Sequence, residues 1–489
     1  MAGCWGGAAE FRAASQQAIR ILPGLSREVA GVVDFTVGDW VLLAVSIVST
    51  FASGWLFYWL TRLRARPGRP GGSTRAGSRW LRAVPTLVAV LAVTAWGAFW
   101  LGTGAGTEQP AWTESGSSAV GPNGNPGDSG GGAVWLELAA GPVLEAGSSH
   151  NLTVAADGTV WGWGDNSGGQ LGDGSWTSRL NPVQVQWMED VVAIAGGGGH
   201  TAALRRDGTV WTWGSYGWDL FGEGTTMPIQ LQGMTNVVAI AGGEDHTAAL
   251  RRDGTVWTWG ENDHGQLGDG TTTDRSTPVQ VQGMAGVVAI AGGICHTIAL
   301  SHDGTVWAWG ANFGGQLGAG TGFEGLTPVQ VKGMADVAAI AGGHAHTIAL
   351  RSDGMVWAWG ENCYGQLGDG TTTNRLTPVL VQDLTDVGAI AAGVYHTLAL
   401  RRDGTVWAWG YNEYGQLGDG TTTERSTPVQ VQGMADVVAI AGGGWHTIAL
   451  RRDGTVWAWG LNYDGQLGDG TTTGRSTPVQ VQGLPDIGP

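Results

Sequence analysis

The sequence predicts an all-β protein, a seven-bladed β-propeller of four-stranded antiparallel blades over residues 133–489, preceded by a two-helix transmembrane hairpin over residues 40–101. Three observations predict it. WxWG recurs at Trp161, Trp211, Trp257, Trp307, Trp357, Trp407 and Trp457, at a spacing of 50 residues with a single step of 46. A His keeps the same beat at His150, His200, His246, His296, His346, His396 and His446, about eleven residues ahead of each Trp. Two long charge-free apolar stretches stand before residue 102.

Each element has its own reason. Residues 1–39 form a short tail, in whose first 36 residues Arg12, Arg20 and Arg27 balance Glu10, Glu28 and Asp34. Trp40 to Leu60 and Ala83 to Leu101 carry no charge and are long enough, as helices, to cross a hydrocarbon core of about 30 Å. Trp55, Trp59, Trp96 and Trp100 near their ends suit membrane interfaces. A cleavable signal peptide would place a shorter apolar run nearer the N-terminus. Between the spans lie seven Arg, from Arg62 to Arg82, and no acidic residue. The positive-inside rule keeps such a loop in the cytoplasm and turns both termini outward, a two-pass topology in the cell membrane with an extracytoplasmic propeller. Residues 102–132 are rich in Gly, Ser and Pro and read as a flexible tether.

Within one repeat, four segments have strand character, as in VVAIAG, HTIAL, TVWAW and PVQVQ of the last unit. Alternation in TVWAW puts both Trp on one face, predicting that the pairs, 14 of the 27 Trp, form the core between blades. The Asp-Gly of RRDGT predicts a tight type I′ hairpin between the second and third strands. A unit of this size cannot bury its Trp face alone, so the array must close into a ring. The first unit begins near Val143 and the last ends at Gln482, which predicts that the two ends meet to finish a blade. Whether the stretch at Trp135 takes part is left open.

Composition narrows the function. The propeller carries 15 Lys plus Arg against 34 Asp plus Glu, within a whole-chain net charge of −16, which argues against nucleic acid as a partner. Cys4, Cys295 and Cys363 are scattered, with no CxxC, excluding a disulfide framework and a thiolate zinc site. A His present in all seven units reads as a hydrogen-bonding post local to each blade rather than as seven active sites. No Ser-His-Asp grouping, phosphate-cradling loop or EF-hand pattern occurs, and the GDGTTT loops have the wrong spacing for a calcium loop. No metal, cofactor or catalytic residue is expected, and the chain is not read as an enzyme.

Variation among near-identical units points to a binding surface. One window lies just before the His: Ser148-Ser149, Gly198-Gly199, Glu244-Asp245, Ile294-Cys295, His344-Ala345, Val394-Tyr395 and Gly444-Trp445. The other follows WG and includes Asp263, His264, Glu413 and Asp464. The first and third connections of an antiparallel blade lie at one end, so both windows fall on one face of the disc. Tyr216, Trp218, Phe313, Tyr364, Tyr395, Tyr411, Tyr414, Trp445 and Tyr463 are the candidate partner-binding residues there, because Tyr and Trp supply large contact area at low entropy cost. The RRDG turns, with pairs such as Arg205-Arg206 and Arg451-Arg452, lie on the other face as a solvated rim. Blade 2 departs most, with Leu220-Phe-Gly-Glu in place of GQLGDG, and blade 4 next, at Gly318-Ala-Gly-Thr-Gly-Phe-Glu.

The unit HTIALRRDGTVWAWGLNYDGQLGDG, with its preceding AGG, closely resembles the repeat of the regulator of chromosome condensation family, over about residues 140–485. The resemblance implies a seven-bladed propeller. In its wording, VVAIAGG and WGxN included, the repeat is also similar to the secreted bacterial β-lactamase-inhibitor propellers, suggesting a bacterial-type protein. Function transfers less well than fold. The family name suggests a guanine-nucleotide exchange factor for a small GTPase, against which stand the outward topology and the acidic propeller. The plant ultraviolet-B photoreceptor places an Arg between Trp and His, whereas Trp445 is followed directly by His446. The expectation is a membrane-tethered, non-enzymatic propeller that binds a protein partner, inhibition of a secreted enzyme being a special case.

Overall fold

The computed structural model describes residues 144–216 and 224–488. The tail, both expected spans, the tether, Trp135, Trp218 and the blade 2 segment 217–223 lie outside the described residues. Among the described residues no helix is long and apolar enough to cross a membrane.

Seven four-stranded antiparallel sheets follow one another along the chain. Blade 1 consists of β1 (Leu144–Ala146), β2 (His150–Val154), β3 (Val160–Gly164) and β4 (Arg179–Gln184). β5 (Val191–Gly196) opens blade 2, and the order repeats through β28 (Arg475–Gln480) of blade 7. First strands of successive blades contact one another, so they line the axis and the fourth strands form the outer rim.

Every blade is contiguous in sequence, so the ends do not share a blade as expected. The ring closes blade against blade instead. Gly444 N–H donates to Ser148 O at 3.0 Å, Gly470 N–H to Leu180 O at 3.1 Å, and Ala156 N–H to Asp486 O at 3.2 Å. Closure needs no strand exchange because blade 7 meets blade 1 through the same surfaces that join every other pair.

Each joint is a layer between unlike faces. Between blades 5 and 6, Ile348, Leu350, Val356 and Ala358 of one blade meet Val387, Ile390, Ala399 and Trp409 of the next. The period-2 alternation of the third strand is what gives a blade one small aliphatic face and one Trp face. Burial corrects the expectation that both Trp of each pair are core. Trp163, Trp213, Trp259, Trp309, Trp359, Trp409 and Trp459 are buried, whereas the first Trp of each pair is half-buried near the RRDG rim. There Arg205 and Arg251 lie 4.9 and 4.2 Å from the rings of Trp211 and Trp257.

The hairpin between second and third strands also differs from expectation. Gly208 has φ 80° while Asp207 is not in the left-handed region. Gly208 N–H donates to Arg205 O at 2.9 Å, so the connection is a type I turn followed by a left-handed Gly rather than type I′. The Asp does other work. Asp207 Oδ1 accepts from the N–H and hydroxyl of Thr209, which hold its carboxyl below the usual range, and Trp211 Nε1–H donates to that Thr hydroxyl at 3.3 Å.

Candidate partner-binding face

The seven His do not line a site. Each is buried, and each hands its Nε2 to the next blade: His150 to Thr201 at 3.2 Å, His200 to Thr247 at 3.0 Å, His296 to Thr347 at 3.0 Å. In the common joint the Thr hydroxyl spends its proton on the carbonyl of a loop Gln, as Thr297 does on Gln266 O at 2.8 Å. A hydroxyl has one proton to give, so it must accept from the ring, which assigns the Nε2–H tautomer. Burial pushes all seven imidazoles down, to about 3 or about 4. They are neutral posts, and the second Gly of each AGG turn packs flat on the ring, where a Cβ at Gly293 would overlap His296.

The same Gln carbonyl serves the core Trp. Trp309 Nε1–H donates to Gln266 O at 2.9 Å, and five other joints repeat the bond. At the closing joint Asn151 replaces Thr without changing the pattern: its Oδ1 accepts from His446 at 2.7 Å and its Nδ2 donates to Gln466 O at 2.7 Å.

Tyr216 takes the place of that carbonyl at the joint between blades 2 and 3. Its hydroxyl accepts from Thr247 at 3.2 Å and from Trp259 Nε1–H at 3.2 Å, and contacts Thr212 at 2.5 Å. Its ring stacks on His200 at 3.8 Å. Being only 3% exposed, Tyr216 is a joint residue and offers no surface to a partner. The signal was in the sequence, because Tyr216 stands two residues past WG in the blade that lacks GQLG.

The two variable windows do meet on one face. In every blade the residue after WG donates its N–H to the carbonyl just before the His, as Glu261 to Asp245 at 2.8 Å, Tyr411 to Tyr395 at 2.9 Å and Leu461 to Trp445 at 2.9 Å. A second set of backbone bonds runs around the axis from one pre-His window to the next, for example Glu244 N–H to Ile294 O at 3.3 Å and His344 N–H to Val394 O at 3.0 Å. These bonds hold the windows on a rigid ring.

On that ring the aromatic residues of blades 5 to 7 form a continuous run. Tyr395 lies 4.9 Å from His344, 5.1 Å from Tyr364 and 5.4 Å from Trp445. Tyr411 lies 4.7 Å from Tyr364 and 5.1 Å from Trp445. Tyr414 lies 5.9 Å from Trp445 and 6.4 Å from Tyr463. Most of these contacts are edge-to-face, the arrangement favoured by the ring quadrupole. Trp445 and Tyr411 are buried in the run, Tyr364, Tyr395 and Tyr414 are half-buried, and Tyr463 is 68% exposed. Burial and the neighbouring Glu413 push the Tyr411 hydroxyl well above the ordinary tyrosine range. Ile294, Val394 and Leu461, which an aromatic count passes over, complete the cluster. Phe313 is separate, edge-on to His264 at 5.1 Å, and His264 Nδ1 pairs with Glu324 at 2.7 Å.

Blade 3 contributes carboxylates instead of rings. Cys295 belongs to the aromatic cluster, and its thiol is pushed well up by burial and then by Glu261, Glu244, Asp245 and Asp263. The acidic and aromatic arcs therefore abut at Cys295. The rim loops are closed in a different way. Asp269 Oδ1 accepts from Thr271, and its Oδ2 pairs with Arg275 at 2.7 Å. Burial opposes its ionisation, but these bonds outweigh it and keep the carboxyl below its usual range. Blade 4 loses both partners together, with Ala319 and Gly325 at these positions. On the opposite face a shallow depression of about 580 Å³ is lined by Asn236, Arg251, Arg252 and Asp253.

The RCC1-like domain family matches residues 139–387 and 221–488, two overlapping placements covering more than half of the chain. The chain belongs to the RCC1-like domain family. No curated relative matches it. Among solved structures, this RCC1-like propeller is similar to Prp20p of Saccharomyces cerevisiae, described with its binding to Gsp1p and histones, at 23% identity over 63% of this chain and 82% of that one, TM-score 0.57. The same yeast RCC1 bound by Kap60 gives 22% identity over 74% and 90%, TM-score 0.61. Human WBSCR16 gives 24% over 67% and 95%, TM-score 0.60. At these identities the likeness is one of fold.

Proposed function

We propose that this RCC1-like protein is a membrane-tethered, non-enzymatic propeller that binds a protein partner through the window face. The observation that carries the reading is the continuous aromatic run from His344 to Tyr463, built from the positions at which the blades differ and set on a backbone-bonded ring. Rigid rings that are already packed lose little entropy on contact, which is how a small number of residues can dominate an interface. Support for the tether comes from the two charge-free stretches and the seven-Arg loop between them.

One reagent tests both parts. A Ser167→Cys chain, with Cys4, Cys295 and Cys363 replaced by Ser, carries its thiol at an exposed position of the blade 1 window beside blade 7 and leaves the aromatic run intact. An impermeant maleimide is expected to label it in intact cells, and a photo-crosslinker attached there is expected to capture a discrete protein that a crosslinker at Asp253 does not. Labelling that needs permeabilised cells overturns the extracytoplasmic topology and brings forward exchange on a cytosolic GTPase. Equal capture from both faces overturns the aromatic face as the interface.

A further inference from the structure

The two windows contain eight carboxylates, from Asp165 to Asp464, and no Lys or Arg in any of the seven blades. The opposite hairpin connections are of mixed charge, with nine Arg in five blades and an Asp in each of the seven. The basic residues nearest the window loops, such as Arg275 and Arg375, are already paired with Asp269 and Asp369 at 2.7 and 2.6 Å. One face of the disc is thus a field of negative charge with exposed rings beside it. Four of the carboxylates sit on blade 3, and Cys295 marks their junction with the aromatic run.

Resting on the reading that this face binds a protein, we propose that the partner enters with a basic segment in which Arg supplies the contacts. Guanidinium groups of one part of the segment would pair with Glu261 and Asp263 of blade 3, and those of another part would lie on Tyr414 and Tyr463 of blades 6 and 7. Arg suits both halves of the face, because its planar fork pairs bidentately with carboxylate and its face stacks on aromatic rings. A second copy meeting it window face to window face is disfavoured, since that face carries the same sign of charge, and the Arg of the opposite face sit beside the Asp of their own turns. Anionic nucleic acid and anionic lipid are disfavoured for the same reason.

The test is fluorescence anisotropy of the full chain in detergent with three labelled dodecapeptides: (Arg-Ser)6, (Lys-Ser)6 and (Glu-Ser)6. The expected order is Arg tighter than Lys, no binding of the Glu peptide, and an affinity that falls as salt rises. Replacing Glu244, Asp245, Glu261 and Asp263 by their amides should weaken (Arg-Ser)6 about tenfold or more. Neutralising Asp253, Asp336, Asp386 and Asp436, four carboxylates of the opposite face, should change it less than twofold. Tyr414→Ala with Tyr463→Ala should narrow the preference for Arg over Lys, leaving the part that comes from bidentate pairing with the carboxylates. Equal losses in the two charge variants would reduce the binding to overall negative charge and overturn the proposal, as would Arg and Lys binding alike in the parent. Should the peptides fail while the crosslinker at position 167 still captures its protein, the interface stands and its basic chemistry falls.

Discussion

The joints between blades and the mouth of the disc are built on opposite plans. The joints share one plan of bonds, His to Thr, Thr to Gln carbonyl, Trp to the same carbonyl, complete at five joints and adapted by Tyr216 and Asn151 at the other two, and nearly every atom is buried. The mouth uses the same scaffold positions for residues that differ in every blade. The difference teaches where each kind of free energy resides: the joints hold the ring closed, and the mouth is free to vary because its backbone is already fixed from below.

The largest effect that separates them is acid. The seven joint imidazoles titrate at about 3 or about 4 in the folded state, against an ordinary value of 6.5. Above pH 6.5 both states hold the rings neutral, and the His contribute no pH dependence. As pH falls below 6.5 the unfolded chain binds protons that the folded chain refuses, so stability declines until the folded values are reached near 4 to 3. The loss should be steep, with up to seven protons taken up on unfolding. Melting followed by circular dichroism from pH 7.5 to 4.5 measures the slope, and His296→Gln should remove one proton from it. A flat profile across that window would show that the posts are not neutral and buried.

Second is the turn that seats each ring. Gly293→Ala places a methyl group on His296 and against Gly343 O, so the joint must open, at a cost of about 3 kcal/mol. Gly283→Ala, at an open turn with nothing within 4 Å but with φ 71°, isolates the backbone strain from the clash. Urea unfolding should rank Gly293→Ala as the worse.

Third, Tyr216→Phe removes the hydroxyl that stands in for the missing Gln carbonyl. Thr247 and Trp259 then lose their acceptor in a buried place, for about 2 kcal/mol. The opposite sign is expected at blade 5. Met355 stands where other blades have Thr, and the buried Trp357 Nε1–H has no partner. Met355→Thr should restore the bond seen at Thr305 and Trp307 and stabilise by about 1 kcal/mol.

These residues show what the sequence made legible. Period and alternation sufficed for the seven blades, the aliphatic and Trp faces, and the meeting of both windows on one face, because each follows from strand geometry alone. Three details were not legible. The first Trp of each pair shares its face with the buried one, but strand alternation says nothing of depth along the strand, and it ends at the rim under Arg. The closing joint is made by Asn151 and Gln466, a pairing across 315 residues that no local pattern displays. Tyr216 stands in a window whose position predicts exposure; the missing GQLG marks blade 2 as different, but that a Tyr hydroxyl takes the vacant acceptor position is a matter of packing that spacing does not display. The run at the mouth was legible as a set of residues and not as a contiguous stack, since its order around the axis depends on which blades adjoin.

The smallest stability effect belongs to the mouth, and it is the sharpest test of the comparison. Tyr463 is 68% exposed and touches the run at a single ring, Tyr414, so Tyr463→Ala should shift stability by no more than about 0.5 kcal/mol. The same substitution removes the outermost ring that a partner would meet, and a buried aromatic anchor lost from an interface costs about 2 kcal/mol of binding. Partner capture should therefore fall about thirtyfold while the melting curve stays in place. Trp445→Ala is the control for the inner end of the run: packed against Tyr395, Tyr411 and Tyr414, it should lower both stability and binding. If Tyr463→Ala destabilised the ring as Gly293→Ala does, the mouth would be part of the framework, and the division between a fixed joint and a variable face would fail.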